Sequence, residues 1–314
     1  MSFSAEVKEE LGKHISSSRH CQLAEMAAFL HFCGQIQKDA EGEITLQLVT
    51  ENIAVVRKCF TILNKTFNID TASLEKECYD NHRNAVYSIV FREEEQIMTL
   101  LQAVKLIDSN GVLHAMRDAV NPLIVKSPCC QRSFIRGAYL CCGSMSDPGK
   151  SYHLELVCSN RIQAEQLREL LVGFDLNAKI VSRKKYQVVY IKEGANISDF
   201  LNVCEAHISL MNFENLRILK EVGNSINRRV NCETANSQKT VSASVKQVQG
   251  IHKIQKYYGF SNLSKALREM AEVRLEYPDA NLKELGQYLD PPVGKSGVNH
   301  RLRKLSEIAE SIKP

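Results

Sequence analysis

Apolar residues along the first part of the chain predict helices and strands in a definite order. Positions at helical spacing predict helices over 23–33, 53–67 and 93–107. Strand-like runs predict strands over 44–49, 71–78 and 85–91. Asp80, Asn81 and His82 form a predicted turn between the last two strands, and Ser4 can cap a first helix that ends near Leu11. This order mixes helices with antiparallel strands and therefore favours an α+β class.

The same order returns after a connector over 110–128 that contains two prolines and a glycine. Helices are predicted over 131–142, 161–174 and 197–205, and strands over 153–158, 179–184 and 187–191. The segment LELVCSN at 154–160 matches LQLVTEN at 46–52 in four of seven positions. Repetition of both pattern and residues indicates a duplicated domain.

Two similar helices, 21–36 and 130–145, carry the clearest repeat. With an offset of 109 positions, Cys21, Gln22, Cys33 and Gly34 align with Cys130, Gln131, Cys142 and Gly143. Each helix has a bare side, formed by Ala27 and Ala28 in the first and by Gly137 and Ala138 in the second. We expect these sides to pack backbone to backbone as the seam between the two halves. Gly143 is expected to end its helix with positive φ.

From about His207 the pattern becomes fully helical. A helix over 213–229 is followed by a polar linker over 227–241, which begins another helix running to about residue 258. An amphipathic helix over 263–276, a short helix over 282–289 capped by Asn281, and a turn over 290–294 come next. Ser296 is predicted to cap a final helix through Ile312. The buried face of this last helix is predicted to carry Val298, Leu302, Leu305, Ala309 and Ile312.

This layout of a helix, a short helix, a turn and a basic helix is typical of a helix-turn-helix DNA-binding domain. Asn299 has the groups that pair with adenine, and Arg301 or Arg303 has those that bind guanine or phosphate. Lys295 and Ser296 suit a phosphate at the helix start. The predicted DNA-binding residues are Lys295, Ser296, Asn299, His300, Arg301, Arg303 and Lys304. The alternative is a helical bundle with a solvated basic face.

Charge is divided unevenly along the chain. Residues 1–216 hold 23 Lys and Arg against 26 Asp and Glu, whereas residues 217–314 hold 17 against 10. A basic C-terminal third favours a polyanionic partner such as double-stranded DNA. Secondary DNA contacts are predicted at Arg183, Lys184, Lys185, Arg228 and Arg229. In the first repeat, the residues that match Arg183, Lys184 and Lys185 are Glu75, Lys76 and Glu77, which together are near neutral. The basic surface of the duplicated domain is therefore predicted on the second repeat only.

The eleven cysteines lie mostly within apolar patterns and predict buried residues in a reducing compartment. No C-x2-C pair occurs, and the nearest metal-like pattern joins Cys129 and Cys130 with Cys141 and Cys142. We therefore predict no metal and no cofactor. The apolar runs are too short to span a membrane, and the charged N-terminal segment lacks the apolar stretch of a signal peptide. A cytoplasmic location is expected.

Metal-dependent nuclease chemistry at the seam is the enzymatic alternative. It would require a carboxylate before each terminal glycine, but Cys33 and Cys142 occupy those positions. Thiols are poor ligands for Mg²⁺, which prefers oxygen. Glu25 lies too far back along its helix, and its counterpart is the apolar Phe134. We predict that the chain is not an enzyme. A protein-interaction role for the acidic N-terminal domain remains a further alternative.

Four segments resemble the WhiA family: MSFSAEVKEEL at 1–11, RGAYLCCGS at 136–144, NRRVNCETAN at 227–236 and LKELGQYLDPPVGKSGVNHRLRKLSEIA at 282–309. The resemblance implies a degenerate LAGLIDADG homing-endonuclease fold in two αββαββα-type repeats, followed by an all-α helix-turn-helix domain. In LAGLIDADG nucleases the acid before the final glycine binds metal, so cysteines there agree with a non-catalytic family. The implied domains are 1–110 and 111–216 for the repeats, 217–260 for a basic helical linker, and 261–314 for the helix-turn-helix.

The same resemblance implies a bacterial, transcription-factor-like regulator of cell division and chromosome segregation, and of sporulation in spore formers. It implies association with the nucleoid. The implied partners are double-stranded DNA and, as candidates, an RNA polymerase sigma factor or division proteins. The recognition helix carries over to residues 296–309 by direct match.

Overall fold

The computed structural model describes residues 2–38, 43–69, 73–78, 85–108, 112–114, 116 and 118–312, with only the backbone at 38, 73–78 and 85. The turn predicted at Asp80, Asn81 and His82 lies outside the described residues. The chain divides into two compact units, Met1–Lys220 (unit one) and Glu221–Pro314 (unit two). No helix in the described ranges combines the length and the apolar character that membrane crossing requires.

Unit one contains the duplicated α+β fold. Helix α1 (Phe3–Lys13) precedes the first repeat, which comprises α2 (Arg19–Cys33), β1 (Gly34–Lys38), β2 (Ile44–Thr50), α3 (Ile53–Ile62), β3 (Ser73–Cys78), β4 (Ala85–Phe91) and α4 (Glu94–Ala103). The second repeat comprises α5 (Pro128–Cys142), β5 (Gly143–Met145), β6 (Leu154–Cys158), α6 (Arg161–Val172), β7 (Lys179–Arg183), β8 (Tyr186–Ile191) and α7 (Gly194–Val203). A π-helical turn, Leu63–Phe67, extends α3.

The two sheets share one topology. Their strand orders are β1-β2-β4-β3 and β5-β6-β8-β7, and every pair of neighbours is antiparallel. Gly34 pairs with Leu48 in the first sheet, and its repeat counterpart Gly143 pairs with Leu156 in the second. The predicted duplication and α+β class are confirmed. The short edge strands β1 and β5 were not predicted, because each directly follows a helix and carries little apolar alternation.

The seam is the contact between α2 and α5, which pack side by side. A Cβ built on Gly137 would lie 2.8 Å from the Cβ of Ala28 and 3.0 Å from the backbone oxygen of Glu25. Gly137 and Ala28 are equivalent positions of the two repeats, so the closest approach lies where small residues face each other. The predicted bare sides are therefore responsible for the close packing of the two helices.

The terminal glycines act differently from the prediction. Gly34 has φ −76° and Gly143 has φ −86°, both in extended rather than left-handed conformation. Glycine is needed there because of space, since a Cβ on Gly143 would lie 2.3 Å from a ring carbon of Tyr139. On Gly34 it would lie 2.3 Å from the carbonyl oxygen of Leu30. Each glycine thus lets the chain pass directly from the seam helix into an edge strand.

One long helix, α8 (His207–Tyr257), contains 51 residues and contributes to both units. The break predicted within 227–241 does not occur. Those residues are exposed throughout, so they lack the apolar face by which a sequence pattern is recognised. They also contain no proline, and the backbone continues its hydrogen bonding without interruption.

Candidate nucleic-acid interface

Unit two ends in three helices arranged as a helix-turn-helix. They are α9 (Lys265–Glu276), α10 (Leu282–Gln287) and α11 (Lys295–Ser311), with α11 packed against both others. One apolar core holds them together and contains Ile251, Ile254, Leu263, Met270, Ala271, Leu285, Leu289, Val298, Leu302, Leu305 and Ala309. The predicted buried face of the last helix is confirmed for residues 298, 302, 305 and 309.

The position of α11 depends on how α10 begins and ends. Asn281 accepts hydrogen bonds from the N–H groups of Lys283 and Glu284, while Glu284 accepts one from the Asn281 N–H. This capping box is the predicted start of the helix. At the other end, the Val293 N–H donates to the Gly286 carbonyl at 2.9 Å. A Cβ on Gly286 would lie 2.0 Å from the Val293 carbonyl oxygen, so only glycine permits this turn.

Helix α11 begins two residues earlier than a cap at Ser296 predicts. Gly294 is the N-cap residue, no side chain caps the helix, and Ser296 lies within its first turn. The Ser296 hydroxyl therefore faces solvent beside the N–H groups of that turn. These groups have no partner within the helix and are suited to an anion such as a phosphate.

Most of the predicted DNA-binding residues share one exposed face of α11. At 100° per residue, Lys295, Asn299 and Arg303 form its central row, with one turn between neighbours. The exposed members of the set are Lys295, Ser296, Asn299, His300, Arg303 and Lys304. Residues 295–304 contain four Lys and Arg and no Asp or Glu. This face can donate hydrogen bonds to phosphates and base edges without repelling them.

Two arginines of this unit are directed inward instead. Arg301 is half-buried, and its Nη1 lies 3.4 Å from the carbonyl oxygen of Ala266 at the start of α9. Arg274 is 2% exposed and donates to Gln247 Oε1 at 3.0 Å and to the Ala280 carbonyl at 2.6 Å. Burial lowers the pKa of Arg274. These cations tie helices together, so they add less to the outer basic face than the sequence suggests.

Arg303 has one neighbour that competes with a nucleic acid. Its Nε lies 3.1 Å from Glu307 Oε1, one turn along the helix, and both side chains are more than half exposed. An exposed pair of this kind contributes only about 0.3–0.5 kcal/mol. The guanidinium can therefore exchange Glu307 for a phosphate or a guanine at small cost.

The secondary basic residues occupy two separate places. Arg183, Lys184 and Lys185 lie at the exposed β7–β8 hairpin, where the Arg183 Nη1 is 3.3 Å from Glu155 Oε2. Arg228 and Arg229 lie on the exposed middle of α8, where the Arg229 Nε is 3.3 Å from Glu233 Oε1. In each group, one arginine is already paired with a carboxylate.

Cys33 and Cys142 lie at the ends of the two seam helices, as the repeat predicted. Burial raises the pKa of Cys142 and Cys141 well above the usual value, and the thiol of Cys142 donates to the Ala138 carbonyl at 3.1 Å. Lys8 is close by, and burial lowers the pKa of its amine, although the nearby thiols and Glu51 oppose the shift. Protonated thiols beside an amine offer a poor site to Mg²⁺, which prefers oxygen ligands.

A buried ionic cluster crosses the seam and was missed from the sequence. Glu25 Oε1 lies 3.0 Å from the Arg136 Nε and 2.6 Å from the Lys58 Nζ, and all three side chains are at most 1% exposed. Arg136 also bonds Glu205 and donates to Ser133 Oγ at 3.1 Å. Burial alone would lower the pKa of Arg136, but Glu25 and Glu205 together raise it. The repeat pattern did not reveal this cluster because Glu25 aligns with Phe134.

A second group that the sequence did not reveal lies at the N-terminal ends of the two seam helices, away from Cys33 and Cys142. His20 and Cys21 in the first turn of α2 meet Cys129 and Cys130 in the first turn of α5. Burial, with Cys21 and Cys129 nearby, raises the pKa of Cys130 to about 12. The alternative pairing with Cys141 and Cys142 does not arise, because those residues end the same helix about 18 Å away. The signal was present in the offset of 109, which aligns His20 with Cys129 and Cys21 with Cys130.

Comparison with known proteins identifies related chains over the whole length. Family models match residues 19–107 as the WhiA N-terminal LAGLIDADG-like domain, 131–223 as the WhiA LAGLIDADG-like domain and 226–309 as the WhiA C-terminal HTH domain. The chain is 51% identical over 317 residues to the probable cell division protein WhiA of Lachnoclostridium phytofermentans, with 100% of both chains covered. The protein of that name from Clostridium acetobutylicum is 43% identical, with 100% of this chain and 99% of the relative covered.

Two crystal structures share the fold. Full-length DUF199/WhiA from T. maritima matches with a TM-score of 0.58 at 24% identity, over 100% of both chains. The N-terminal LAGLIDADG domain of DUF199/WhiA matches with a TM-score of 0.51 at 22% identity, over 65% of this chain and 90% of that one. The fold is thus two LAGLIDADG-like repeats followed by a helical helix-turn-helix region.

Proposed function

Because this chain belongs to the WhiA family, we propose that it is a sequence-specific DNA-binding regulator of cell division that binds DNA through α11. The curated relatives are named as probable cell division proteins, and the matched C-terminal domain is a helix-turn-helix, which fits DNA binding. We also assign the residues of α11 that bind DNA and the groups of the DNA that each of them contacts.

The exposed face at the start of α11 carries the proposal. Its central row of Lys295, Asn299 and Arg303 projects from a helix whose other side is buried in the core of unit two. Asn299 presents both a donor and an acceptor, the pattern that adenine matches in the major groove, and Arg303 has the fork that matches guanine. Lys295, Ser296, His300 and Lys304 surround this row and are assigned to phosphates and base edges.

The direct experiment begins by identifying the DNA. Fragments bound to the chain in cells are mapped by crosslinking and sequencing, and a recovered duplex is compared with a scrambled duplex by fluorescence anisotropy over a series of salt concentrations. We expect tighter binding to the recovered duplex, with log K falling linearly as log salt rises because phosphate contacts release counterions. Equal affinity for both duplexes at every salt concentration would contradict sequence-specific recognition.

Lys304→Ala and Lys150→Ala form a matched pair for the phosphate contacts. Both substitutions remove one exposed lysine, but Lys304 lies on α11 and Lys150 on a loop of unit one. Lys304→Ala should weaken binding to both duplexes and reduce the salt slope by about one. Lys150→Ala should leave both quantities unchanged. A similar effect of the two substitutions would indicate a general charge effect instead of a contact by α11.

We further propose that the seam is non-catalytic and that DNA is the partner, not a substrate. The observation in favour is the group of thiols and an amine where two metal-binding carboxylates would be needed. The alternative is a metal-dependent endonuclease of the LAGLIDADG type. Incubation of plasmid DNA with the chain and Mg²⁺ separates them, and cutting that a Cys142 substitution abolishes would establish the alternative.

The wider role follows from the family and is part of the same proposal. It comprises regulation of division genes, participation in chromosome segregation, sporulation where the host forms spores, and action at the nucleoid. Unit one, with more acidic than basic residues over 1–216, is proposed to bind a protein partner, such as an RNA polymerase sigma factor or a division protein. Crosslinking in cells followed by mass spectrometry would identify that partner.

A further inference from the structure

Four side chains that commonly bind metals meet at the N-terminal ends of the seam helices. Their ligand atoms all lie within 4.8 Å of one another. The His20 Nδ1 is 3.1 Å from the Cys130 Sγ, 3.4 Å from the Cys21 Sγ and 4.0 Å from the Cys129 Sγ. We propose that these residues, the His–Cys cluster, bind one zinc ion. The proposal replaces the prediction of a metal-free chain and is independent of DNA binding.

The spacing of the atoms fits tetrahedral zinc. Zinc bonds of about 2.3 Å to sulfur and about 2.0 Å to nitrogen place neighbouring ligand atoms roughly 3.5–3.8 Å apart in a tetrahedron. The measured separations from His20 Nδ1, 3.1–4.0 Å, lie on both sides of that value. Small side-chain adjustments would therefore complete the coordination. Three thiolates and one imidazole are also a ligand set that structural zinc sites use.

The duplication explains how two pairs of neighbouring residues, one from each repeat, can surround a single ion. Adjacent residues on a helix point about 100° apart, which argues against a site made by one helix alone. Here the cluster takes the same two positions from each repeat, since His20 aligns with Cys129 and Cys21 with Cys130. Because α2 and α5 pack together, each pair faces one point from its own side. The two repeats thus supply the four corners of one site.

The pattern of burial and the two helix ends suit an ion at this position. Cys21 is 4% exposed and Cys130 is 6% exposed, whereas His20 and Cys129 are exposed. Two ligands are therefore held in place by packing, and the other two leave a path by which an ion can enter. Zinc binding would displace the protons of these thiols, and the free N–H groups in the first turns of the two helices would stabilise the thiolates that result.

The role of the bound zinc ion would be structural and not catalytic. All four tetrahedral positions would be filled by the protein, which leaves no open position for a substrate or an activated water. An ion held by both repeats would tie the N-terminal ends of α2 and α5 together. Because such a site does not exist in the unfolded chain, the free energy of zinc binding would contribute to the stability of unit one.

The test uses the full-length chain purified under reducing conditions without chelator. Elemental analysis should find about one zinc ion per chain. Co²⁺ added to the metal-free chain should give the intense visible absorption of a tetrahedral site, together with a thiolate charge-transfer band in the near ultraviolet. Cys129→Ser and His20→Ala change exposed ligands, so circular dichroism should show an unchanged fold. Both variants should lose zinc affinity by more than the roughly 10–100-fold expected for an outer-shell substitution.

Cys232→Ser is the matched control, because Cys232 is an exposed cysteine of α8 outside the cluster. This variant should retain the zinc content and cobalt spectrum of the unaltered chain. The proposal is overturned if the unaltered chain binds no more zinc than Cys129→Ser. It is equally overturned by a cobalt spectrum without the thiolate band, or by a disulfide between these cysteines in the reduced preparation.

Discussion

Individual residues of α11 divide into those that face outward and those that hold the helix in place. Asn299 and Arg303 are exposed on the central row, whereas Arg301 points back toward α9. Composition identified the basic helix, but it could not separate these roles. Whether an arginine faces solvent depends on which carbonyl groups the neighbouring helix presents. The same limit applies to Ser4, which accepts the Met145 N–H at 3.1 Å, while Ser2 caps α1.

Asn299→Ala and Arg303→Ala should relax sequence preference rather than abolish binding. Each lost base contact should cost about 1–3 kcal/mol on the preferred duplex and much less on a scrambled one. The measurement is the ratio of the two dissociation constants at one salt concentration. Arg301→Ala is the comparison, since it removes an arginine from the same helix but from a half-buried position. An equal loss on both duplexes for Asn299→Ala would show that it does not contact a base.

His31 should make the stability of unit one sensitive to mild acid. Burial lowers the pKa of His31 to about 4 from the usual 6.5. Between these two pH values the unfolded chain binds a proton that the folded chain excludes. The free energy of unfolding therefore decreases as the pH is lowered from about 6.5 to about 4. The loss begins near the unfolded pKa and should reach roughly 3 kcal/mol at the folded pKa. Above about pH 6.5 His31 should have no effect.

The measurement is urea unfolding at about pH 7 and about pH 5. His31→Gln, which cannot titrate, should lose less stability between the two conditions than the unaltered chain does. The control is His207→Gln, because His207 is exposed at the start of α8. If His31→Gln and the unaltered chain show the same pH dependence, the buried imidazole is not its source.

Elements were predictable where a face of one helix or strand repeats a simple pattern. The offset of 109 located both seam helices, and the apolar positions of α11 located its buried side. The edge strands β1 and β5 and the continuity of α8 were not predicted. The described side chains of β1 and residues 227–241 of α8 form no buried apolar face, and β5 has only three residues. The ionic cluster of Glu25, Lys58 and Arg136 and the His–Cys cluster each depend on contacts between residues far apart in sequence. Packing, not local pattern, determines those contacts.

Gly137→Ala tests the close approach at the seam. The added Cβ would lie 2.8 Å from the Ala28 Cβ, so the two helices must move apart, and overpacking of this kind costs about 1–3 kcal/mol. Gly223→Ala on α8 is the matched control, because no atom of the described residues lies within 4 Å of a Cβ built on Gly223. It should stabilise the helix by about 0.5–1 kcal/mol. Urea unfolding followed by circular dichroism measures both, and opposite signs are expected.

At the scale of the whole molecule, the excess of basic residues lies in unit two. Unit two carries 15 Lys and Arg against 10 Asp and Glu and includes the helix-turn-helix, whereas unit one carries 25 against 26 and is close to neutral. This excess supports DNA binding by unit two. The division of the chain into four domains, with a linker over 217–260, remains a prediction.

Ending the chain after Lys220 should remove most of its DNA affinity. The shortened chain keeps the two repeats and the hairpin residues Arg183, Lys184 and Lys185 but loses α9, α10 and α11. Circular dichroism should show retained helix and strand, and anisotropy should show only weak binding with a shallow salt slope. Tight, salt-sensitive binding by this shortened chain would place the main DNA contact in unit one.

The ionic cluster across the seam has a consequence for the history of the duplication. A symmetric ancestor would have paired two copies of one half as a homodimer. Glu25 belongs only to the first repeat and Arg136 only to the second, with 3.0 Å between their charged atoms. Two copies of either half would lack one partner of this ion pair. The contact between Glu25 and Arg136 therefore requires two different halves, which this single chain supplies.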